Sequence, residues 1–178
     1  MRLTLVLLSS LLLVNPTPAS PAPSAEPTTA PLVQAQPDLV RAGEAFLDFA
    51  RGGAPDQHLL RHPVDLHLGG RLVHTIPGWR AVHRNSYGYL CPTSRSYAAY
   101  TCPFSPVRVL LRHRSPITVT TRAPEHPCVH DRTFAGWRSH TVTLAPTGTT
   151  SCLDYFAVEL ALSDDGRLEA VNLLAAEP

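Results

Sequence analysis

The sequence predicts an α+β domain in which an opening amphipathic helix covers an antiparallel sheet. Three observations carry that prediction: apolar residues at helical spacing between Leu39 and Ala50, a series of later segments with alternating polarity, and a closing hairpin around Asp164-Asp165-Gly166.

In chain order, Arg2 precedes an apolar run, Leu3–Val14, whose flank turns small and polar at Thr17-Pro18-Ala19. This is the pattern of a signal peptide, assigned to residues 1–19. The run is shorter than the roughly 20 apolar residues a spanning helix needs, so no stable membrane anchor is expected. No cysteine follows the run to serve as a lipid attachment site, and the expected location is secreted, outside the cell. Residues 20–37 are rich in Pro, Ser, Thr and Ala and read as a disordered spacer. Residues 38–178 are expected to form a single domain large enough to bury one core.

Within the domain, Leu39, Gly43, Phe46 and Ala50 define the apolar stripe of the first helix, with Asp38 at its N-terminus and Gly52 where a left-handed cap is wanted. Pro55-Asp56 starts a short turn through Leu60, and Ser105-Pro106 is a cap and first-residue pair for a helix to about His113. Val64, Leu66 and Leu68 alternate with Asp65 and His67; Ile117 and Val119 alternate with Thr118 and Thr120; Val142 and Leu144 alternate with Thr141 and Thr143. Phe156, Val158, Leu160 and Leu162 share one strand face, and Leu168–Leu174 returns with apolar residues at both parities, which places that last strand centrally.

Cys91, Cys102, Cys128 and Cys152 in an exported chain point to two disulfides. Three connectivities exist, and Cys91–Cys102 with Cys128–Cys152 is favoured. Loop closure makes these worth about 3 and 3.5 kcal/mol, together comparable to the whole stability of an ordinary domain. All fifteen Lys/Arg-class residues are arginine, so Schiff-base, P-loop-lysine and lysine general-base chemistry are excluded. Beyond residue 37, fourteen arginines face thirteen acids, and this near-neutral balance gives no electrostatic case for nucleic acid.

The segments Phe46-Leu47-Asp48-Phe49-Ala50-Arg51-Gly52, Ser151-Cys152, Phe156-Ala157-Val158-Glu159-Leu160, Asp165-Gly166-Arg167-Leu168, Ala170-Val171-Asn172-Leu173 and Glu177-Pro178 resemble those of uncharacterised secreted proteins of high-GC Gram-positive bacteria. Those proteins look like members of the nuclear-transport-factor-like superfamily, which also holds SnoaL-like polyketide cyclases and ketosteroid isomerases. The resemblance covers residues 38–178 and lies in element order and strand ends, not in a catalytic signature. It implies a strongly curved sheet and covering helices forming a cone-like fold with an apolar pocket, used for catalysis in some members and for binding or assembly in many.

Enzymes of that fold need a pocket-facing acid or base. Asp65 and His67, on one face of a strand, are candidates, although the polar face of an amphipathic strand is also expected at the surface. Asn172, which interrupts the apolar last strand, is another, and Asp154-Tyr155 a further one. The densest set of metal-ligand types is His126-Pro127-Cys128-Val129-His130-Asp131, but a disulfide would take Cys128 from it; His58 and His62 lack a third ligand. No metal and no cofactor are expected, and no Gly-x-Ser-x-Gly elbow, phosphate loop or dinucleotide fingerprint occurs. Trp79, Tyr87 and Tyr89, with Tyr97 and Tyr100, cluster in sequence near the first pair of cysteines and are the candidate binding residues, or else a satellite cluster at the mouth of the cone. The expected function is a non-enzymatic domain at the cell envelope that binds a small apolar ligand or a protein partner. The alternative is a small lyase or isomerase using acid/base residues in the apolar pocket. An exposed apolar sheet face would argue for a homodimer.

Overall fold

The computed structural model describes residues 38–88, 105–124, 126, 133–134, 140–148, 151–152 and 155–175. The expected signal peptide and spacer, with Tyr89, Cys91, Cys102, Cys128, His130, Asp131 and Asp154, lie outside the described residues. Among the described residues no helix is long and apolar enough to cross a membrane.

Helix α1 spans Leu39–Arg51. The Arg41 N–H donates to Asp38 Oδ1 at 3.1 Å, and Gly52 ends the helix in the left-handed region. Its inward face buries Gly43, Phe46, Phe49 and Ala50. Gly43 is there because the helix comes so close to the sheet that a Cβ would sit 2.5 Å from Val119 Cγ1 and 3.0 Å from Val142 Cγ2. Helix α2, Gln57–Leu60, is capped by Asp56, whose Oδ1 accepts from the N–H groups of His58 and Leu59. Helix α4, Pro106–Arg112, is capped by Ser105 as its sequence predicts.

Strands β1 (Val64–Leu68), β3 (Ile117–Thr120), β4 (Thr141–Pro146), β5 (Phe156–Leu162) and β6 (Leu168–Ala175) occupy the segments expected from their alternation. Strand β2, Arg71–Ile76, helix α3, Gly78–Ala81, and the 3-10 turn Arg84–Tyr87 are additional. The link from β1 to β2 is Gly69-Gly70, at φ 56° and 77°. Two successive positive φ values make a hairpin turn whose twist matches that of the strands, and glycine adopts them without strain.

The six strands form one sheet in the order β2-β1-β6-β5-β4-β3. The expected antiparallel sheet is corrected to a mixed one, because β1 runs parallel to β6, with Leu66 opposite Val171 and His67 opposite Asn172. The remaining pairs are antiparallel. Local hairpins are readable from turns; the parallel pair joins strands about 100 residues apart, and no turn between them records it. Strand β6 is interior, as its apolar residues at both parities imply.

The main core lies between the helices and one sheet face: Leu66, Val142, Leu144, Val158, Leu160, Val171 and Leu173 meet Phe46, Phe49, Leu60 and Leu110. Its centre is an aromatic trio, with ring centroids 6.0 Å apart for Phe46–Phe49, 5.7 Å for Phe46–Tyr87 and 5.8 Å for Phe49–Tyr87. The opposite face is also covered. Phe134 is fully buried against Ala161 and Ala170, while Tyr155 packs with Ala157 and Leu174. Cys152 is disulfide-bonded. Its partner, like the rest of the favoured connectivity, lies outside the described residues.

Candidate functional site

The predicted acid/base pair is split by its surroundings. Asp65, half-buried, accepts from Thr75 Oγ1 at 2.7 Å across the β1–β2 hairpin. His67 is only 7 % exposed, packs edge-on against Phe134 with centroids 5.1 Å apart, and places Nδ1 3.3 Å from the Gly70 carbonyl oxygen. The expectation that this strand face is solvated fails at His67, since the second sheet face lies under Phe134. Sharing a parity therefore does not give the two side chains a shared environment.

Asn172 belongs instead to a buried polar row that the sequence did not announce. The register aligns Thr143, Glu159, Asn172 and His67 on adjacent strands β4, β5, β6 and β1. Asn172 Nδ2 donates to Glu159 Oε2 at 2.8 Å, the Phe134 N–H donates to the same oxygen at 2.8 Å, and the Gly70 N–H donates to Asn172 Oδ1 at 2.9 Å. Glu159 and Asn172 are both fully buried. This network ties the β1–β2 turn and the residue at Phe134 to the middle of the sheet. Nearby, burial raises the Tyr155 phenol above its usual range and the Glu159 charge adds to that effect. His126 stacks on Tyr155 at 3.8 Å between ring centroids.

Of the candidate binding aromatics, Tyr87 is a core residue. It is fully buried, its hydroxyl donates to the Ala81 carbonyl at 2.9 Å, and burial pushes its phenol far above the usual tyrosine range. Trp79, by contrast, is 72 % exposed, with the Arg80 guanidinium 5.7 Å from its ring centroid. It lies on α3, just after β2, and β2 ends the sheet order and carries five consecutive exposed residues, Arg71 to Thr75. Leu72 is 58 % exposed. Among the described residues β2 is paired only with β1, so its outer backbone groups face away from the sheet. A groove of about 200 Å³ runs beside it, lined by Val73, His74, Ile76, Pro77, Arg80 and Asn85.

A second surface cavity, of about 340 Å³, lies at the N-termini of α1 and α2 beside the β5–β6 turn. Its polar groups already serve the fold: Asp38 and Asp56 cap helices, and His58 Nε2 lies 2.9 Å from the Asp165 carbonyl oxygen. The Asp165 carboxyl is held below its usual range chiefly by the Ser163 hydroxyl, with Arg167 at 2.7 Å and His58 adding to it. Among the described residues no group of three or more His, Cys, Asp or Glu is placed to hold a metal ion.

The signal missed in the sequence is the distribution of charge, which the near-neutral total hides. Residues 66–124 contain eight arginines and no aspartate or glutamate, whereas the rest of residues 38–178 holds all thirteen acids against six arginines. The acid-free stretch supplies β2, α3, the 3-10 turn and α4, and that turn contacts both α3 and α4. Arg71, Arg80, Arg84, Arg108 and Arg112 on these elements are exposed. Comparison with protein-family models, with curated protein sequences and with solved structures gave no match to this chain.

Proposed function

We propose that this chain is an exported, non-enzymatic domain that binds a protein partner at the cell envelope along the free edge of β2 and Trp79. The observation that carries this reading is the exposure of Leu72 and Trp79, 58 % and 72 %, on and beside a strand with one side unpaired among the described residues. Exposed aromatic and aliphatic side chains beside unpaired backbone groups are the ingredients of strand-edge recognition. A protein partner is favoured over a small apolar ligand because Phe46, Phe49 and Tyr87 fill the space between helix and sheet where such a ligand would sit. The acid/base alternative draws no support from Asp65 and His67, whose Oδ1 and Nδ1 are directed to Thr75 and Gly70 respectively.

The domain is read as a cone-like relative of the nuclear-transport-factor-like superfamily, with disulfides Cys91–Cys102 and Cys128–Cys152. Its helix-over-sheet layering and the bonded state of Cys152 support that reading. An intact mass about 4 Da below the fully reduced value is expected for two disulfides. The binding reading is tested by photo-crosslinking on the producing cells. A benzophenone side chain replacing Leu72 or Trp79 is expected to trap protein adducts, and one replacing Glu169, an exposed residue near the start of β6, is expected to trap none. Equal yields at the three positions, or none at 72 and 79, would overturn it.

A further inference from the structure

We infer that the β2 edge takes up an acidic, extended protein segment as an additional strand, with one apolar side chain of that segment seated in the groove beside Arg80. This rests on the reading of β2 as a protein-binding edge and names the chemistry of the partner.

Backbone, shape and charge each restrict the occupant. Among the described residues strand β2 has one unpaired side, whose backbone donors and acceptors are best satisfied by another extended chain. The groove lined by Val73, His74, Ile76, Pro77, Arg80 and Asn85 has about 200 Å³, which suits a single aliphatic or aromatic side chain and not a folded element. Arg71 and His74 on the strand and Arg80 at the groove are exposed, and no acid occurs from residue 66 to residue 124. The nearest carboxylate in sequence, Asp65, is hydrogen-bonded to Thr75 on the neighbouring strand. Arginine beside an exposed strand disfavours a basic partner and draws in carboxylates, whose approach it accelerates at low ionic strength. The exposed arginines of α4 extend the same sign of field along the adjoining flank. A second copy of this chain would bring an equally basic β2 against the first, so edge-to-edge self-pairing is opposed by the charge that favours an acidic segment.

The test uses the full exported chain and fluorescein-labelled peptides of about twelve residues. One alternates valine with glutamate, one alternates valine with lysine, and one is the glutamate peptide N-methylated at every second residue so that one edge cannot donate hydrogen bonds. Fluorescence anisotropy is expected to show the glutamate peptide binding at least about ten-fold more tightly than either of the others, and weakening as salt is raised. The double substitution Arg71→Glu with Arg80→Glu is expected to reduce that binding by about ten-fold or more while leaving the circular dichroism and thermal midpoint unchanged. Equal binding of the N-methylated peptide would overturn strand addition, and equal binding of the lysine peptide would overturn the acidic preference. A single-stranded oligonucleotide of the same length binding as well as the peptide, with the same dependence on Arg71 and Arg80, would also overturn it. So would a Leu72-dependent dimer in sedimentation that excludes the peptide. If photo-crosslinking at positions 72 and 79 traps protein adducts and the glutamate peptide does not bind, this inference alone falls. Absence of adducts removes the binding reading and this inference with it.

Discussion

Asn172 on β6 and Glu159 on β5 sit opposite each other in register, and Asn172 Nδ2 donates to Glu159 Oε2 at 2.8 Å with both side chains fully buried. A carboxylate at the centre of a sheet persists only where donors surround it, and here the Phe134 N–H donates to the same oxygen. Glu159→Ala is therefore expected to destabilise the domain by about 3 kcal/mol, through donors left buried without an acceptor, and Glu159→Gln by less. Urea denaturation followed by circular dichroism measures both; equal effects would show that the oxygen acceptor is not what matters.

Asn172→Asp would place two carboxyl groups within hydrogen-bond distance in a buried site. The pair is expected to share a proton, which raises the apparent pKa of the introduced acid in the folded state. The folded form then holds more protons than the unfolded one at neutral pH, so stability falls as pH rises above about 4 and recovers on acidification. A thermal midpoint that moves the opposite way relative to the parent between pH 4 and pH 7 would refute this.

Gly43→Ala tests the approach of α1 to the sheet. Helix propensity alone would reward the change by up to about 1 kcal/mol. The new Cβ would instead lie 2.5 Å from Val119 Cγ1. Overpacking should dominate, with a net loss of about 1–3 kcal/mol. Val119→Ala, made in the same chain, should recover part of that loss in a double-mutant cycle.

Tyr87 donates its hydroxyl to the Ala81 carbonyl inside the aromatic trio. Tyr87→Phe is expected to cost about 1 kcal/mol. Because burial raises the phenol pKa, the associated stability is complete below the unfolded value of about 10 and is lost as pH rises beyond it. In an alkaline titration read at the tyrosinate absorbance, one phenol should ionise only together with unfolding, and this step should disappear in Tyr87→Phe.

Trp79 is expected to be dispensable for folding. Trp79→Ser should change stability by no more than about 0.5 kcal/mol, since the ring is 72 % exposed. The same substitution should abolish the photo-adducts formed from position 72 if the β2 edge is the binding surface.

Local signals were legible wherever one short stretch of chain contains both the cause and the effect. Asp38, Asp56 and Ser105 each cap the helix that follows them, and Asp164-Asp165-Gly166 turns β5 into β6. Strand β2 was not read from the sequence: Gly69-Gly70 and the β-branched Val73, Thr75 and Ile76 mark it, but its alternation is weak because every residue except Ile76 is exposed. Glu159 left a subtler trace. It stands between Ala157 and Ala161 on its strand face, and alanines there, with Ala170 on β6, mark a face closely covered by other residues, where a solvated face carries longer polar side chains.

Sequence by itself determined the α+β class, the capped helices, the closing hairpin, the exclusion of lysine chemistry and the concentration of arginine away from acids between residues 66 and 124. Only the tertiary structure decided that β1 runs parallel to β6, that Tyr87 belongs to the core while Trp79 does not, and that Asp65 and His67 part company. The reason is physical: caps, turns and amphipathic periods act over a few residues, whereas strand order and burial depend on contacts between segments far apart in the chain. A side chain's environment is set by what comes to lie over it, and for His67 and Glu159 part of that cover is Phe134, far from His67 in sequence.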